Sequence, residues 1–427
     1  MISLIVRKES IKMKIKTKMK VQKIPTSQLI FFVAYTLYLI FALLSTSFYY
    51  KYFEGRVYIA LKVLCLYLIF ISEIIKCQKN IKAFWGLAIC SMMCGVVIYN
   101  TSLFNDIVLL IAFVYCGRDI AFEKIAKLTE YVSSVMLIAI ILSAYVGIIQ
   151  NYTELFDGRY REYLGFRYAL YPAAIIFNIT ALILYKKRKK LKIHDILILL
   201  LSNSFIFYKT NSRLSFYMSV VMILCMFLFQ IFPSILEKSK ILHVGMTLSF
   251  VISCVGSIMM TVKFSDSINW MYTINDFLNN RLKFGKRSLI LYGVSFWGKH
   301  NMEWIGNGLD SAGNKSTKTY LWVDNFYISI MQRFGIIVMI IVVLLLTYTL
   351  IKCLKNKNYY LMFMLTFIAG HCIVDDLFLY LHYNTFWFLI GSVLMERNKY
   401  SKSRKSYIKY QNNRISSNFN KNFGKAV

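Results

Sequence analysis

The sequence predicts an all-α, polytopic integral membrane protein, a bundle of about twelve transmembrane helices carrying one large external loop. Three observations lead there. Hydrophobic residues make up 58% of the chain and charged residues only 17%, where a soluble domain is about half apolar and about a quarter charged. Apolar runs of spanning length repeat along the chain, and only 3 prolines serve all 427 residues. Most of the 51 basic residues gather in the tails and in alternate connections between those runs. That asymmetry is expected of a multi-pass chain whose basic loops stay on the cytoplasmic side.

The chain opens with a basic tail, residues 1–26. No small-residue cleavage site follows its first apolar run, so it does not read as a cleavable leader. Apolar runs at 27–49, 57–75, 82–99, 103–117, 131–149, 168–185, 194–208, 213–233 and 241–261 make a first membrane bundle over 27–261. The polar stretch 262–321 is the large external loop. A long connection is usually functional or disordered, and the Trp, Tyr and Phe content here argues for order. Runs at 322–351, 359–376 and 378–396 give the last three helices, and a second basic tail, 397–427, closes the chain. With the amino terminus inside, the block Lys186-Lys187-Arg188-Lys189-Lys190-Lys192 and the run Lys352-Lys355-Lys357 are cytoplasmic, as are both termini. The expected location is the cytoplasmic membrane.

The net charge of +31 therefore orients the chain and meets anionic membrane lipid. Nucleic acid is not an expected partner, because the basic residues have no fold to carry them as a binding stripe. The 9 cysteines lie mostly inside apolar runs without metal-ligand spacing and read as packing residues. No glycine-rich nucleotide loop, Walker motif or nucleophile elbow is present. A nucleotide-sugar donor is thus not expected, and neither is a cofactor.

Positive residues on the external side oppose the orienting bias, so they need another reason to be there. They cluster as Arg159, Arg161 and Arg167; as Arg213 in Thr210-Asn211-Ser212-Arg213; and as Arg281, Arg287 and Arg333 around the large loop. The predominant cation is Arg, whose planar fork suits phosphate and carboxylate. A lipid diphosphate is the natural common ligand for Arg159, Arg161, Arg167, Arg213, Arg281 and Arg333. As a leaving group it gains negative charge in the transition state, where fixed cations speed the reaction. Each arginine alone has a plainer explanation: snorkelling for Arg213, a solvated loop for Arg159 and Arg161, an interfacial helix for Arg281, ion pairing for Arg333.

Acyl or glycosyl transfer also needs a base. The outward-facing candidates are Asp324, Asp375, Asp376, His371, Glu162 and His300. Asp324-Asn325 sits where the loop enters a helix, so Asp324 would serve equally as an N-cap. His371 and Asp375 are four apart and on a helix would share a face. No third ligand completes a metal site there. Asp324, Asp375 and His371 lead the catalytic candidates, and no metal is expected.

At this point the chain resembles a known family, the bacterial polysaccharide repeat-unit polymerases (Wzy-type), which belong with the O-antigen ligases. The resemblance runs from about residue 30 to 396 and rests on architecture and short motifs. Those are Arg161-to-Phe166, Thr210-Asn211-Ser212-Arg213, Asn280-Arg281-Leu282, Gly306-Asn307-Gly308, Val323-Asp324-Asn325-Phe326-Tyr327 with Arg333-Phe334-Gly335-Ile336, and Tyr383-Asn384. In the ligase branch a His-Asn pair stands where this chain has Asp324-Asn325, which favours the polymerase branch. The resemblance implies a membrane glycosyltransferase-like helical bundle. It also implies transfer of a growing glycan from undecaprenyl diphosphate to a lipid-linked repeat unit at the outer face. Tyr163, Trp304, Asn325 and Tyr327 are then the candidates for contacting glycan. A flippase and a chain-length regulator of the same pathway are the implied protein partners. Two other functions fit the same architecture. One is a flippase for lipid-linked oligosaccharide, which usually shows two similar halves and midplane charges, and no internal repeat is visible here. The other is a ligase joining glycan to a different acceptor.

Overall fold

The computed structural model describes residues 25–76, 81–156, 158–300 and 302–394. The basic tails up to 24 and from 397, and the side chain of Arg159, lie outside the described residues. The chain is mostly helical. In order come α1 (Thr26–Ser45), α2 (Arg56–Lys76), α3 (Ile81–Asn100), α4 (Asp106–Cys116) and α5 (Phe122–Tyr145). A hairpin of β1 (Thr153–Phe156) and β2 (Arg159–Glu162) follows. Then come α6 (Leu170–Lys187), α7 (Ile193–Thr210), α8 (Arg213–Ile231), α9 (Pro233–Lys238) and α10 (Lys240–Lys263). The stretch 264–325 holds α11 (Asn269–Phe277) and α12 (Arg281–Tyr292). The last part holds α13 (Phe326–Arg333), α14 (Ile336–Lys355), α15 (Tyr359–His371) and α16 (Phe388–Leu394).

Among the described residues, six helices are long and apolar enough to cross a bilayer: α1, α2, α5, α8, α10 and α14. Residues 84–100 of α3, α4 and α15 are shorter apolar helices. The all-α membrane class holds; the expectation of about twelve spans is met only in this coarser form. The helices close on themselves through aromatic packing. Phe31 and Tyr35 of α1, Phe113 of α4 and Phe388 of α16 meet with ring centroids 5.0 to 6.0 Å apart, so the first and last helices share one core. Helix α6 packs on α5, α7, α8 and α15, and α14 on α10, α15 and α16.

The last three expected helices differ from the sequence reading. The run 322–351 is broken at Phe334-Gly335 into α13 and α14. Gly335 takes φ +96°, and a Cβ there would run into the Phe296 carbonyl and lie 2.6 Å from the Gly298 nitrogen. The chain can bend at that point only because it has no side chain. The run 359–376 stops being helical at His371, because Asn325, Phe326 and Tyr327 take up carbonyls at its end. Asn325 Nδ2 donates to Ile373 O (2.9 Å), the Phe326 amide to Cys372 O (3.0 Å) and the Tyr327 hydroxyl to Ala369 O (3.0 Å). The run 378–396 is not one helix: among its described residues, the 3-10 turns Leu377–Leu379 and Thr385–Trp387 flank an irregular part, and α16 follows. Asn178 of α6 holds the irregular part by accepting from the Thr385 amide (3.3 Å) and donating to Thr385 Oγ1 (3.0 Å).

The connections before α2, α4, α6 and α8 and the stretch 264–325 gather at one end of the bundle. Contacts between them fix this: Ser47 bridges to Phe166, the Leu309 amide donates to Arg167 O (2.8 Å), and Asn100 Nδ2 donates to Trp297 O (2.6 Å). The other end holds basic residues paired with acids, such as Arg118 with Glu73 and Lys189 with Glu237. In the stretch 264–325, Ile305 and Leu321 form an antiparallel bridge, so the loop returns on itself as an extended wall.

Gly335→Ala is expected to lose folded protein in a detergent melting assay, because the backbone conformation alone costs about 1–3 kcal/mol and the clash is with backbone that cannot yield. Gly245→Ala, in the second turn of α10 with nothing near its Cβ position, is expected to melt at or slightly above the wild-type temperature.

Candidate functional site

Asp324 sits just ahead of α13, but it is not the cap of that helix. Asn325 is: its Oδ1 accepts from the Ile328 amide at 3.0 Å. Asp324 is thereby left facing Arg281, with Arg281 Nε 3.5 Å from Asp324 Oδ2 and both side chains largely buried. Arg281 is the first residue of α12. Asn275 sets that start, donating to Asn280 Oδ1 (2.8 Å) and accepting from the Lys283 amide (3.1 Å).

The three bonds that end α15 also bring the following turn against Asp324. Asp375 and Asp376 lie in that turn, both almost completely buried. The three carboxylates line a cavity of about 260 Å³, together with Tyr168, Tyr171, Tyr320 and Trp322 and the segment Gly306-Asn307-Gly308. Asp375 Oδ1 accepts from the Leu377 amide (2.9 Å), and Asp376 Oδ1 accepts from Trp322 Nε1 (3.2 Å). Asp376 Oδ2 is buried with no hydrogen-bond partner.

The arginines divide. Arg333 ends α13 with its guanidinium 4.4 Å from the Trp304 ring and 5.2 Å from the Trp322 ring, so a cation stands behind the tryptophan that holds Asp376. Arg161, half-buried on β2, acts electrostatically on the cavity phenol Tyr168, as Arg281 does. Arg167 is a strap: it donates to Ser45 O (2.6 Å) and Leu309 O (3.3 Å) and lies over the Tyr50 ring. Arg213 opens α8 exposed.

The remaining candidates are engaged elsewhere. His371 is buried between the Phe177 and Phe378 rings, with Nε2 3.1 Å from Ser215 Oγ. Because the helix ends at His371, Asp375 does not follow it one helical turn on. Glu162 is held by Lys209 (2.9 Å) and Asn151 (2.7 Å), and His300 is exposed at Tyr99 O. Of the expected glycan contacts, Tyr163 and Tyr327 are fully buried. Their hydroxyls donate to Glu154 (2.7 Å) and Ala369 O (3.0 Å). Asn325 is the helix cap. Trp304 Nε1 donates to Ser288 Oγ at 3.0 Å, which leaves its ring to carry Arg333.

The aromatic lining was missed in the sequence, although a signal was there. In Tyr320-Leu321-Trp322-Val323-Asp324 the polar and amphipathic residues alternate with apolar ones, the period of an extended strand. Tyr320, Trp322 and Asp324 line the cavity, while Leu321 and Val323 are buried away from it.

None of the three carboxylates lies in a spanning helix. Burial raises Asp324, against the pull of Arg281. It likewise raises Asp376, helped by the charge of Asp324. Burial pushes Asp375 up to about 8, again against Arg281. A carboxyl poised near neutral pH can take up and return a proton. Carboxylates, phenols and an indole around one small cavity suit a ligand rich in hydroxyls, and Arg281 and Arg333 beside it suit an anion. No protein-family model, curated protein or solved structure matches the chain.

The raised Asp375 makes stability pH-dependent. A carboxyl with a folded-state pKa above its unfolded value of about 3.9 contributes stability that is complete below that pH. The contribution is lost as pH rises through about 8. The melting temperature of the wild type is therefore expected to fall between pH 6 and pH 9. Asp375→Asn should flatten that fall, by an amount worth on the order of a few kcal/mol at pH 9.

Proposed function

We propose that the chain is a polymerase that joins undecaprenyl-diphosphate-linked oligosaccharide repeat units into a capsular, exopolysaccharide or O-antigen chain. Its place is the outer face of the cytoplasmic membrane, with about twelve crossings in all and both termini cytoplasmic. The observation that carries this is the cavity in which Asp324, Asp375 and Asp376 meet beside Arg281 and Arg333. An anion-binding pair flanks a hydroxyl-binding, proton-accepting pocket at one end of a membrane bundle. Those are the two halves a glycosyl transfer from a lipid diphosphate needs.

In this reading the acceptor hydroxyl gives its proton to Asp375, and its oxygen forms the new bond to the anomeric carbon of the donor. The bond from that carbon to the diphosphate oxygen breaks, and undecaprenyl diphosphate leaves with the electron pair. Arg281 and Arg333 meet the charge that builds on the leaving group. Asp324 holds Arg281 until diphosphate takes its place, so it positions the cation. The base is assigned to Asp375 because its carboxyl lines the cavity and neither holds Arg281, as Asp324 does, nor accepts from the Trp322 indole, as Asp376 does. A base of this kind contributes about 10²–10⁴-fold.

Reconstitution of the purified chain in liposomes with lipid-linked repeat units and no nucleotide is the deciding experiment. A ladder of products is expected. Movement of lipid between leaflets without a ladder would mean a flippase instead. In the same assay Asp375→Asn is expected to lower kcat at least about a hundredfold with little change in KM. Arg281→Ala should lower kcat/KM for the donor by a similar factor, and Arg213→Ala by much less. Equal losses at Arg281 and Arg213 would dissolve the distinction drawn between them.

A further inference from the structure

Asp376 is the group that the proposed transfer leaves unused. It is 1% exposed, its Oδ1 accepts from the Trp322 indole at 3.2 Å, and its Oδ2 has no partner. A buried carboxylate oxygen without a donor is costly, and it is rarely left so unless something else supplies the hydrogen bond. Asp376 and Trp322 both line the cavity. Trp322 is itself fixed: its indole N–H is taken by Asp376, and Arg333 lies 5.2 Å from its ring. An aromatic ring held in place beside an unsatisfied acceptor is a surface for a ring with an apolar face and a donor on its edge.

Three features narrow the ligand. The cavity, at about 260 Å³, is below the roughly 300–1,000 Å³ of pockets for drug-sized ligands, so it takes one ring and not an oligosaccharide. Among the described residues, no group of acids, histidines and cysteines is arranged to hold a metal ion, so the three carboxylates do not converge on a cation. The walls hold three acids and no cation, with Arg281 and Arg333 outside the lining. A ligand that presents its own carboxylate would be buried there with no cation in contact.

We infer that this cavity is a subsite for a single sugar ring bearing hydroxyl or amine donors and no negative charge, its face on Trp322 and a donor on Asp376 Oδ2. Resting on the polymerase reading, it identifies this ring as the acceptor's non-reducing terminal sugar. Asp376 and Trp322 then set which sugars are extended, uronic acids being excluded at this position.

The test is saturation-transfer NMR on the full-length protein in detergent, with methyl glucoside, methyl glucosaminide and methyl glucuronide as probes. The first two are expected to bind saturably, with the strongest transfer to protons on one ring face. The glucuronide is expected to bind at least tenfold more weakly. Asp376→Asn should weaken the two binders about tenfold, the order expected for a hydrogen bond to a charged group. Asp266→Asn, at an exposed site paired with Lys283, should leave them unchanged. Should Asp376→Asn fail to fold, Trp322→Leu decides by the same readout. Absence of saturable binding, equal binding of the glucuronide, or unchanged binding in Asp376→Asn (or in Trp322→Leu where it decides) would overturn the inference. The two readings fail separately. Sugar binding without polymer from lipid-linked units removes the polymerase and keeps the subsite. Polymer without saturable binding here removes the subsite and keeps the polymerase.

Discussion

The site depends on one close backbone crossing. Gly298 and Gly335 let the segment 295–299 pass directly against the break between α13 and α14. The crossing is closed by the Lys299 amide on Gln332 O (2.9 Å) and the Ile336 amide on Ser295 O (3.1 Å). A side chain at either glycine would collide with main chain. Because the helix must stop there, α13 is only 8 residues long. Its two ends then present Asp324 and Arg333 to the same neighbourhood. A continuous helix over this run would instead have carried Arg333 into apolar surroundings, where a bare charge is expensive.

The same short helix organises the opposite carboxylates. The side chain of Asn325 and the amide of Phe326 take the carbonyls of Ile373 and Cys372. That ends α15 and turns the chain, so Asp375 and Asp376 arrive beside Asp324. Burial raises all three acids, the charge of Asp324 adds to the rise at Asp375 and Asp376, and Arg281 is the cation that opposes it. The pair between Arg281 and Asp324 is loose at 3.5 Å. A phosphate, with more charge and more acceptor oxygens, can displace a carboxylate held that way.

The fold class was legible because it is written in composition and in the length of apolar runs; α1 to α4 and α6 to α8 fall close to the runs read from the sequence, while α5 begins at Phe122, well ahead of the run read at 131–149. The site was half legible. The arginines stood out against the orienting charge bias, and Asp324 stood out as an acid at a span boundary. What periodicity could not show was which arginines converge. Arg167 and Arg281 look alike in sequence, yet one finds backbone carbonyls and the other a carboxylate. The breaks at Gly335 and after His371 were hidden because apolar composition continues through them. They come from long-range contacts, Phe296 on Gly335 and Phe326 on Cys372, that no local window contains. The hairpin at 153–162 had a local signal, Asp157-Gly158 between two short runs, that a reading tuned to helices passed over.

The long loop between α10 and α13 is a wall and not a lid. Its end segments are tied into the bundle. Trp304 bonds Ser288, and Ser288 bonds Gln332 (2.8 Å). Leu309 bonds Arg167, and Ile305 bridges Leu321. Only the tip around Asp310–Asn314 closes mainly on its own hydrogen bonds, with Lys315 reaching Glu154 on the hairpin. A moving lid would have to break the strap at Arg167 and the bridge at Ile305 together. The wall therefore sets the shape of the cavity before any ligand arrives, and Trp322 and Asp376 are positioned without it. Pre-ordering of this kind lowers the cost of binding a small ring. It fits a cavity in which Tyr168, Tyr171, Tyr320 and Trp322 stand beside three buried acids.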